Sequence, residues 1–234
     1  MPIFLKHRNE QLTEWMDHPD CDKQLLFNTY RQFGPLNRLL SGWKDIFYSF
    51  LKPVIQDIDG TTTVLDIGCG GGDVIWFLNQ LCKEENLDVQ FTGIDPDSRA
   101  HEYSKKMDWD DNIQLLSART DTLIQNGESY DIVISNHLMH HLSIDELVNI
   151  SRDAEKLSHR LVIFNDIERS DIGYGLFSIS APLIFRNSFI SRDGKLSIRR
   201  SFRKSELQSI LPEPWKVERK FPFRLLAMVQ TSTE

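Results

Sequence analysis

Cysteine is scarce: three residues in 234, Cys21, Cys69 and Cys82. An odd count at this spacing makes neither a disulfide framework nor a usual zinc pattern. It fits a reducing compartment, so a cytoplasmic location is expected. No stretch reaches the roughly 18 uncharged apolar residues of a membrane span. The longest candidate, residues 172–184, is shorter and interrupted by Ser, Gly and Pro. The opening MPIFLKHRNE has no long apolar run, so no signal peptide is expected. Excess positive charge is also missing. Lys+Arg is 27 against 34 for Asp+Glu, a net −7, which argues against a general nucleic-acid coat. Internal repeats and low-complexity tracts are absent.

What is present is globular: 40% hydrophobic and 26% charged residues in a length that suits one α/β domain with an appendage. The charge is uneven. Residues 186–224 hold eleven Lys/Arg against four Asp/Glu, a local +7, so the remainder carries −14. The basic stretch Arg192, Lys195, Arg199, Arg200, Arg203 and Lys204 is either a solvated face or a surface for an anionic acceptor, a carrier protein or a membrane.

Residues 1–59 read as a helical cap. Leu25, Leu26, Thr29, Phe33, Leu36, Leu39 and Leu40 recur at helical spacing, with Gly34-Pro35 expected to break one helix and start the next. From residue 60 the pattern becomes strands at 64–67, 89–94, 113–116, 131–135 and 161–164. Helices at 74–82, 98–107 and 143–157 alternate with them, and the last starts at a Ser143/Glu146 capping box. This alternation predicts a Rossmann-like, doubly wound, mostly parallel sheet with helices on both faces. A further helix (202–211) and a strand pair (216–220, 224–231) close the chain. Residues 167–201 follow strand 5 as an insertion or lid, too long for a connection and too apolar for disorder. The division is thus a cap, 1–59, and a core, 60–234.

The strongest motif is Val64-Leu65-Asp66-Ile67-Gly68-Cys69-Gly70-Gly71-Gly72-Asp73. Its glycines permit a sharp strand-to-helix turn and close approach of a ligand to bare backbone, with Cys69 small enough to sit among them. In the dinucleotide register G-x-G-x-x-G the last glycine would be Asp73, whose carboxylate would repel a pyrophosphate. The register D-x-G-x-G-x-G fits, and an acid before the loop, Asp66, suits an ammonium group. Asp95-Pro96 ends the second strand, where an acid accepts hydrogen bonds from ribose hydroxyls. A ribose, a cationic amino-acid end and no pyrophosphate describe S-adenosylmethionine. The nicotinamide alternative lacks the third glycine, and the chain's Tyr-x-x-x-Lys pair, Tyr48 and Lys52, lies upstream of the loop. A binding module without catalysis is a further alternative, opposed by the intact loop and ribose acid. No Asn-Pro-Pro-Tyr follows the fourth strand, which carries SNHL, so methylation of a nucleic-acid base is not expected.

VLDIGCGGGD, GIDPD and DIVISNHLMHHL occur in that order, and here the chain resembles the class I S-adenosylmethionine-dependent methyltransferases. Among these it is most similar to the small-molecule branch related to ubiquinone/menaquinone biosynthesis. The resemblance covers residues 60–166. It implies seven strands with the last antiparallel, a methyl-transfer reaction, and cofactor contacts from Asp66, Gly68, Cys69, Gly70, Asp95, Pro96 and Asn136. Many relatives place an acid after strand 3 to meet the adenine amino group. Arg119 stands there in this chain, and Asp121 is expected to substitute. VIFNDIERSDIGYG resembles methyltransferases found beside polyketide-synthase genes, implying a polyketide- or quinone-like small-molecule acceptor.

Transfer to a hydroxyl requires removal of its proton. His137, His140 and His141 follow strand 4, and Asp166 ends strand 5, at the same sheet edge as the glycine loop. His140 or His141 is a candidate base with Asp166 orienting it; alternatively the pair caps the turn and packs structurally. A metal held by His137, His140, His141 and Asp166 is the less favoured reading, and no metal is assigned. Tyr30, Phe33, Trp43, Tyr174 and Phe177 are candidates for an apolar acceptor pocket or for ordinary core. Oligomeric state is not fixed by the sequence.

Overall fold

The structure, a computed structural model, describes residues 3–231. Seven strands form one sheet: β1 (Thr62–Ile67), β2 (Val89–Asp95), β3 (Ile113–Ser117), β4 (Tyr130–Asn136), β5 (Ser158–Ile167), β6 (Lys216–Lys220) and β7 (Arg224–Gln230). Their order is β3-β2-β1-β4-β5-β7-β6. β1 to β5 pair in parallel, and β7 lies antiparallel between β5 and β6. This is the sheet the resemblance implies.

Side chains alternate across the sheet with a period of two. Leu65, Val133, Val162 and Ala227 point to one core, with Leu147, Leu207 and Trp215. Val64, Ile132, Ile163 and Leu226 point to the other, with Ile75 and Leu78. Helices cover both faces: α1 (Lys23–Leu40), α2 (Trp43–Ile46), α3 (Lys52–Gln56), α4 (Asp73–Glu84), α5 (Ser98–Ser104), α6 (Thr120–Gln125), α7 (Ile144–Leu157), α8 (Asp171–Ile184), α9 (Ile190–Arg200) and α10 (Lys204–Ile210). α7 starts at the expected capping box, with Ser143 and Glu146 bonding reciprocally.

Four sequence expectations are corrected. First, Gly34-Pro35 does not end a helix; α1 runs through it. Leu26, Thr29 and Tyr30 before the proline and Asn37 after it share the buried side, so packing outweighs one missing backbone bond. Leu39 faces solvent, off the expected stripe. Second, residues 3–22 are not helical beyond a 3₁₀ turn, Trp15–Asp17. They form a strap whose backbone is satisfied by side chains from the core. Arg200 holds Leu12 O, Arg99 holds Met16 O and His18 O, and Arg203 holds Lys6 O. Asp193 accepts from the amides of Trp15 and Met16 at 3.0 and 2.9 Å. Third, the insertion is the helix pair α8 and α9. Fourth, α6 occupies a stretch after β3 where no element was expected, because six residues are too few to show a period.

The basic stretch is thereby explained in part. Arg200 is buried, Arg203 turns inward to the strap, and the Arg192 guanidinium lies 3.6 Å over the Trp15 ring. Arg200 and Arg203 hold the chain's own backbone, and Arg192 stacks on a strap side chain.

Candidate active site

The carboxyl ends of β1, β2, β4 and β5 meet α1, α8, α9 and the strap around a cavity of about 1000 Å³. Open α/β sheets hold ligands at this edge. In the β1–α4 loop Gly68 and Gly70 adopt φ of +73° and +52°, the left-handed region that favours glycine. The amides of Gly68 and Cys69 bond Ile94 O at 2.8 and 3.1 Å, pinning the loop to β2. The Gly70 amide donates to Asp95 Oδ2 at 2.9 Å, and the Asp97 amide to Asp95 Oδ1 at 2.8 Å.

Asp66 closes this end of the cavity. It is 1% exposed, and its Oδ1 has no hydrogen-bond partner among the described residues. Burial, with Asp73 and Asp95 nearby, pushes its carboxyl well above the usual range. Asp73 is likewise pushed up by burial, to about 6, although Asn37 Nδ2 donates to it at 2.9 Å. Burial also raises Asp95. Three carboxyls around one end of a cavity, one of them unsatisfied, form a cradle for a cation. The residues present therefore fit the ammonium end and ribose of S-adenosylmethionine.

Asp66, Gly68, Cys69, Gly70, Asp95, Pro96 and Asn136 all line the cavity. Asp121 does not. It sits exposed on α6, its Oδ1 accepting from the neighbouring Thr122 hydroxyl at 3.3 Å, because the chain turns into that helix before reaching the cavity. Of the aromatic candidates, Tyr30, Phe33 and Phe177 line it. Trp43 is instead buried in the core with Ile46 and Phe47, and Tyr174 is not among the lining residues.

The turn after β4 brings the histidines together. His137, at φ +61°, places Nε2 3.1 Å from both Asn37 Oδ1 and Arg224 Nη1. Burial and Arg224 hold its pKa well below the usual value. Arg224, at the start of β7, also donates to Asn165 Oδ1 and Asn136 Oδ1 at 3.0 and 2.9 Å. Burial lowers its pKa to about 10.

His140 is 1% exposed and lies between two carboxylates. Asp166 meets its ring Nδ1 at 2.7 Å and its amide at 2.8 Å, and Glu14 Oε1 lies 3.2 Å from Nε2. Although burial opposes it, the two carboxylates raise the imidazole to about 9. In that state His140 carries a proton on each nitrogen and is a poor base at neutral pH. His141, half-buried, has Asp17 Oδ2 3.0 Å from Nδ1 and Glu14 Oε1 3.8 Å from Nε2. Backbone carbonyls of both residues accept from Arg200, His140 O at 2.9 Å and His141 O at 2.6 Å.

Sequence reasoning found the histidines and Asp166 but missed Glu14, Asp17, Asn37 and Arg224. Glu14 and Asp17 lie in a stretch without periodicity, so nothing local marks them as buried or partly buried. Arg224 reads as the polar first residue of a strand.

In comparison with known proteins, residues 64–158 match the model of a methyltransferase domain family. No curated protein sequence matches the chain. Among solved structures it is similar to the plantazolicin methyltransferase BpumL in complex with SAH, at 16% identity and a TM-score of 0.66, covering 94% of this chain and 93% of that one. The magnesium protoporphyrin IX methyltransferase ChlM of Synechocystis PCC 6803 with bound SAH has 16% identity and a TM-score of 0.52, over 82% and 84% of the two chains. Human N-acetylserotonin methyltransferase in complex with SAM has 11% identity and a TM-score of 0.55, over 94% and 63%. At these identities the likeness shows the fold: a Rossmann-like methyltransferase fold across nearly the whole chain. Among the described residues no helix is long and apolar enough to cross a membrane.

Proposed function

We propose that the chain is an S-adenosylmethionine-dependent methyltransferase that methylates an oxygen of a small, largely apolar acceptor. The observation that carries the cofactor assignment is Asp66: a buried carboxylate with an unpartnered oxygen, facing the cavity beside two further acids. An α-ammonium group would supply the missing positive charge. Asp95 keeps lone pairs for ribose hydroxyls after accepting its two backbone bonds. Bound there, the cofactor would supply an electrophilic methyl group. The protein's part is to align an acceptor with it and to accommodate the acceptor's proton.

The apolar lining supports an apolar acceptor. Phe33, Leu36, Leu40, Leu138, Leu176 and Phe177 line the cavity. The related structures are named for plantazolicin, magnesium protoporphyrin IX and N-acetylserotonin, three unlike acceptors, so the cavity itself must guide the choice. Apolar lining beside the histidine–carboxylate cluster suits a polyketide- or quinone-like ring bearing a hydroxyl, as in the ubiquinone-related branch. The cluster of His140, His141, Asp166 and Glu14 is where that hydroxyl would be held and lose its proton. His141 is its most accessible imidazole, oriented by Asp17. The free thiols of Cys21, Cys69 and Cys82 fit a cytoplasmic setting.

A panel of phenolic and quinol acceptors, incubated with enzyme and methyl-labelled S-adenosylmethionine, tests this reading. Label transferred to oxygen of an apolar phenol supports it. Label found only on nitrogen or carbon across acceptors of all three types would contradict the oxygen assignment.

A further inference from the structure

Two imidazoles and one carboxylate converge at the polar end of the cavity. His140 Nε2 and His141 Nε2 lie 3.2 and 3.8 Å from the same Glu14 Oε1. One ligand atom from each of the three residues falls within 4.8 Å of the others. The second nitrogen of each ring is already engaged: His140 Nδ1 with Asp166 at 2.7 Å and His141 Nδ1 with Asp17 at 3.0 Å. An ionised carboxylate only accepts, so each pair fixes a hydrogen on Nδ1 and turns Nε2 toward Glu14. The two Nε2 atoms then face one carboxylate oxygen. Ser197 Oγ donates to that oxygen at 2.6 Å but does nothing for the nitrogens. Without a metal, a proton on His140 Nε2 links that ring to Glu14. One proton satisfies one nitrogen, whereas a divalent cation satisfies all three groups.

We propose that Glu14, His140 and His141 bind a divalent transition-metal ion, with zinc as the best fit. A tetrahedral zinc at about 2.0–2.1 Å from its ligands keeps ligand atoms roughly 3.3 Å apart. The Nε2–Oε1 separations of 3.2 and 3.8 Å approach that without rearranging the backbone. Two imidazoles favour zinc, iron or cobalt over magnesium or calcium, which take oxygen sets. Asp166 and Asp17 supply the outer carboxylates that orient metal-binding histidines and increase their basicity. Arg200 fixes the peptide backbone of both histidines. All three ligand residues line the cavity, so a fourth position is open to it, as in catalytic rather than structural zinc sites. An acceptor oxygen would occupy that position; this last point alone rests on the methyltransferase reading. The sequence offered a metal only as the less favoured reading, through His137, His140, His141 and Asp166; Glu14, 126 residues from His140, was not among those candidates.

The test uses the full chain, stripped with chelator and desalted. Zinc is titrated calorimetrically, and cobalt is followed by its visible absorption. One equivalent is expected to bind with micromolar or tighter affinity. Glu14→Gln and His141→Gln should each weaken binding at least ~10-fold, and Asp17→Asn about 10-fold through the outer shell. His140 is buried and its replacement endangers the fold. Half-buried His141 is therefore the decisive position, with circular dichroism confirming folding. No binding by the wild type, or binding unchanged in folded Glu14→Gln and His141→Gln, overturns the site. S-adenosylhomocysteine binding is measured on the same metal-free protein. Its loss with zinc binding intact counts against the methyltransferase reading and leaves the metal site standing.

Discussion

Glu14 Oε1 and His140 Nε2 meet at 3.2 Å across 126 residues of sequence. The contact joins an irregular N-terminal strap to the turn after β4 at the carboxyl edge of the sheet, and burial makes it consequential: Glu14 is 3% exposed and His140 1%. A carboxylate this deep persists only because His140, His141 and Ser197 compensate its desolvation, which leaves its pKa lowered to about 2. The strap is therefore part of the site, its carbonyls held by Arg99, Arg169, Arg200 and Arg203.

Replacing Arg200 with Met should cost about 2–4 kcal/mol, because Leu12 O, His140 O and His141 O lose a shared buried donor. Urea unfolding measures the loss. Hydrogen exchange should accelerate in residues 3–17 and at the histidine turn before it does in β1. Uniform acceleration would show that the strap is not a separate unit.

Asp66→Asn should move stability and binding in opposite directions. Removing a buried, unsatisfied charge stabilises the free protein, raising its melting midpoint by about 2–4 °C for each kcal/mol gained. Affinity for S-adenosylhomocysteine should fall at least ~10-fold, or 1.4 kcal/mol. A variant that is less stable and binds normally would refute the assigned role.

The acidic cradle implies a pH dependence with a definite sign. The Asp73 carboxyl, at about 6 in the folded protein, is higher than in an unfolded chain. Between its unfolded pKa near 4 and about 6 the folded state binds more protons, so ligand-free stability falls as pH rises through this window. Above it the penalty stays constant. Asp73→Asn should flatten the curve between pH 4 and 6. Because a bound ammonium favours ionised carboxylates, ligand binding near pH 6 should release protons. Calorimetry in two buffers of different ionisation enthalpy would reveal this, and proton uptake would contradict the cradle.

Phe177 lies on α8 against Gly194 of α9, where an added Cβ would come within 2.3 Å of the ring. Phe177→Ala should raise KM for an apolar acceptor about tenfold or more by deleting buried contact, while leaving S-adenosylhomocysteine affinity unchanged. Equal losses in both would place Phe177 in the fold rather than in acceptor binding.

Much of this architecture was legible because it is local. The glycine loop, Asp95 at the end of β2 and the strand–helix alternation are short-range patterns, and each stands at the expected position in the fold. α1 continuing through Pro35 was not legible, since packing on both sides decides it. Asp121 was not legible for a similar reason: α6 carries it out to solvent, away from the cavity. Glu14, Asp17 and Arg224 acquire meaning only from long-range pairing, and a basic stretch that read as surface became the clamp of the strap.

The most direct measurement is calorimetric titration of the wild-type chain with S-adenosylhomocysteine, alongside Asp66→Ala and Asp95→Ala. Binding of one equivalent in the micromolar range, weakened in both variants, is the predicted result. No heat from folded wild-type protein, or unaltered affinity in both variants, would contradict the account.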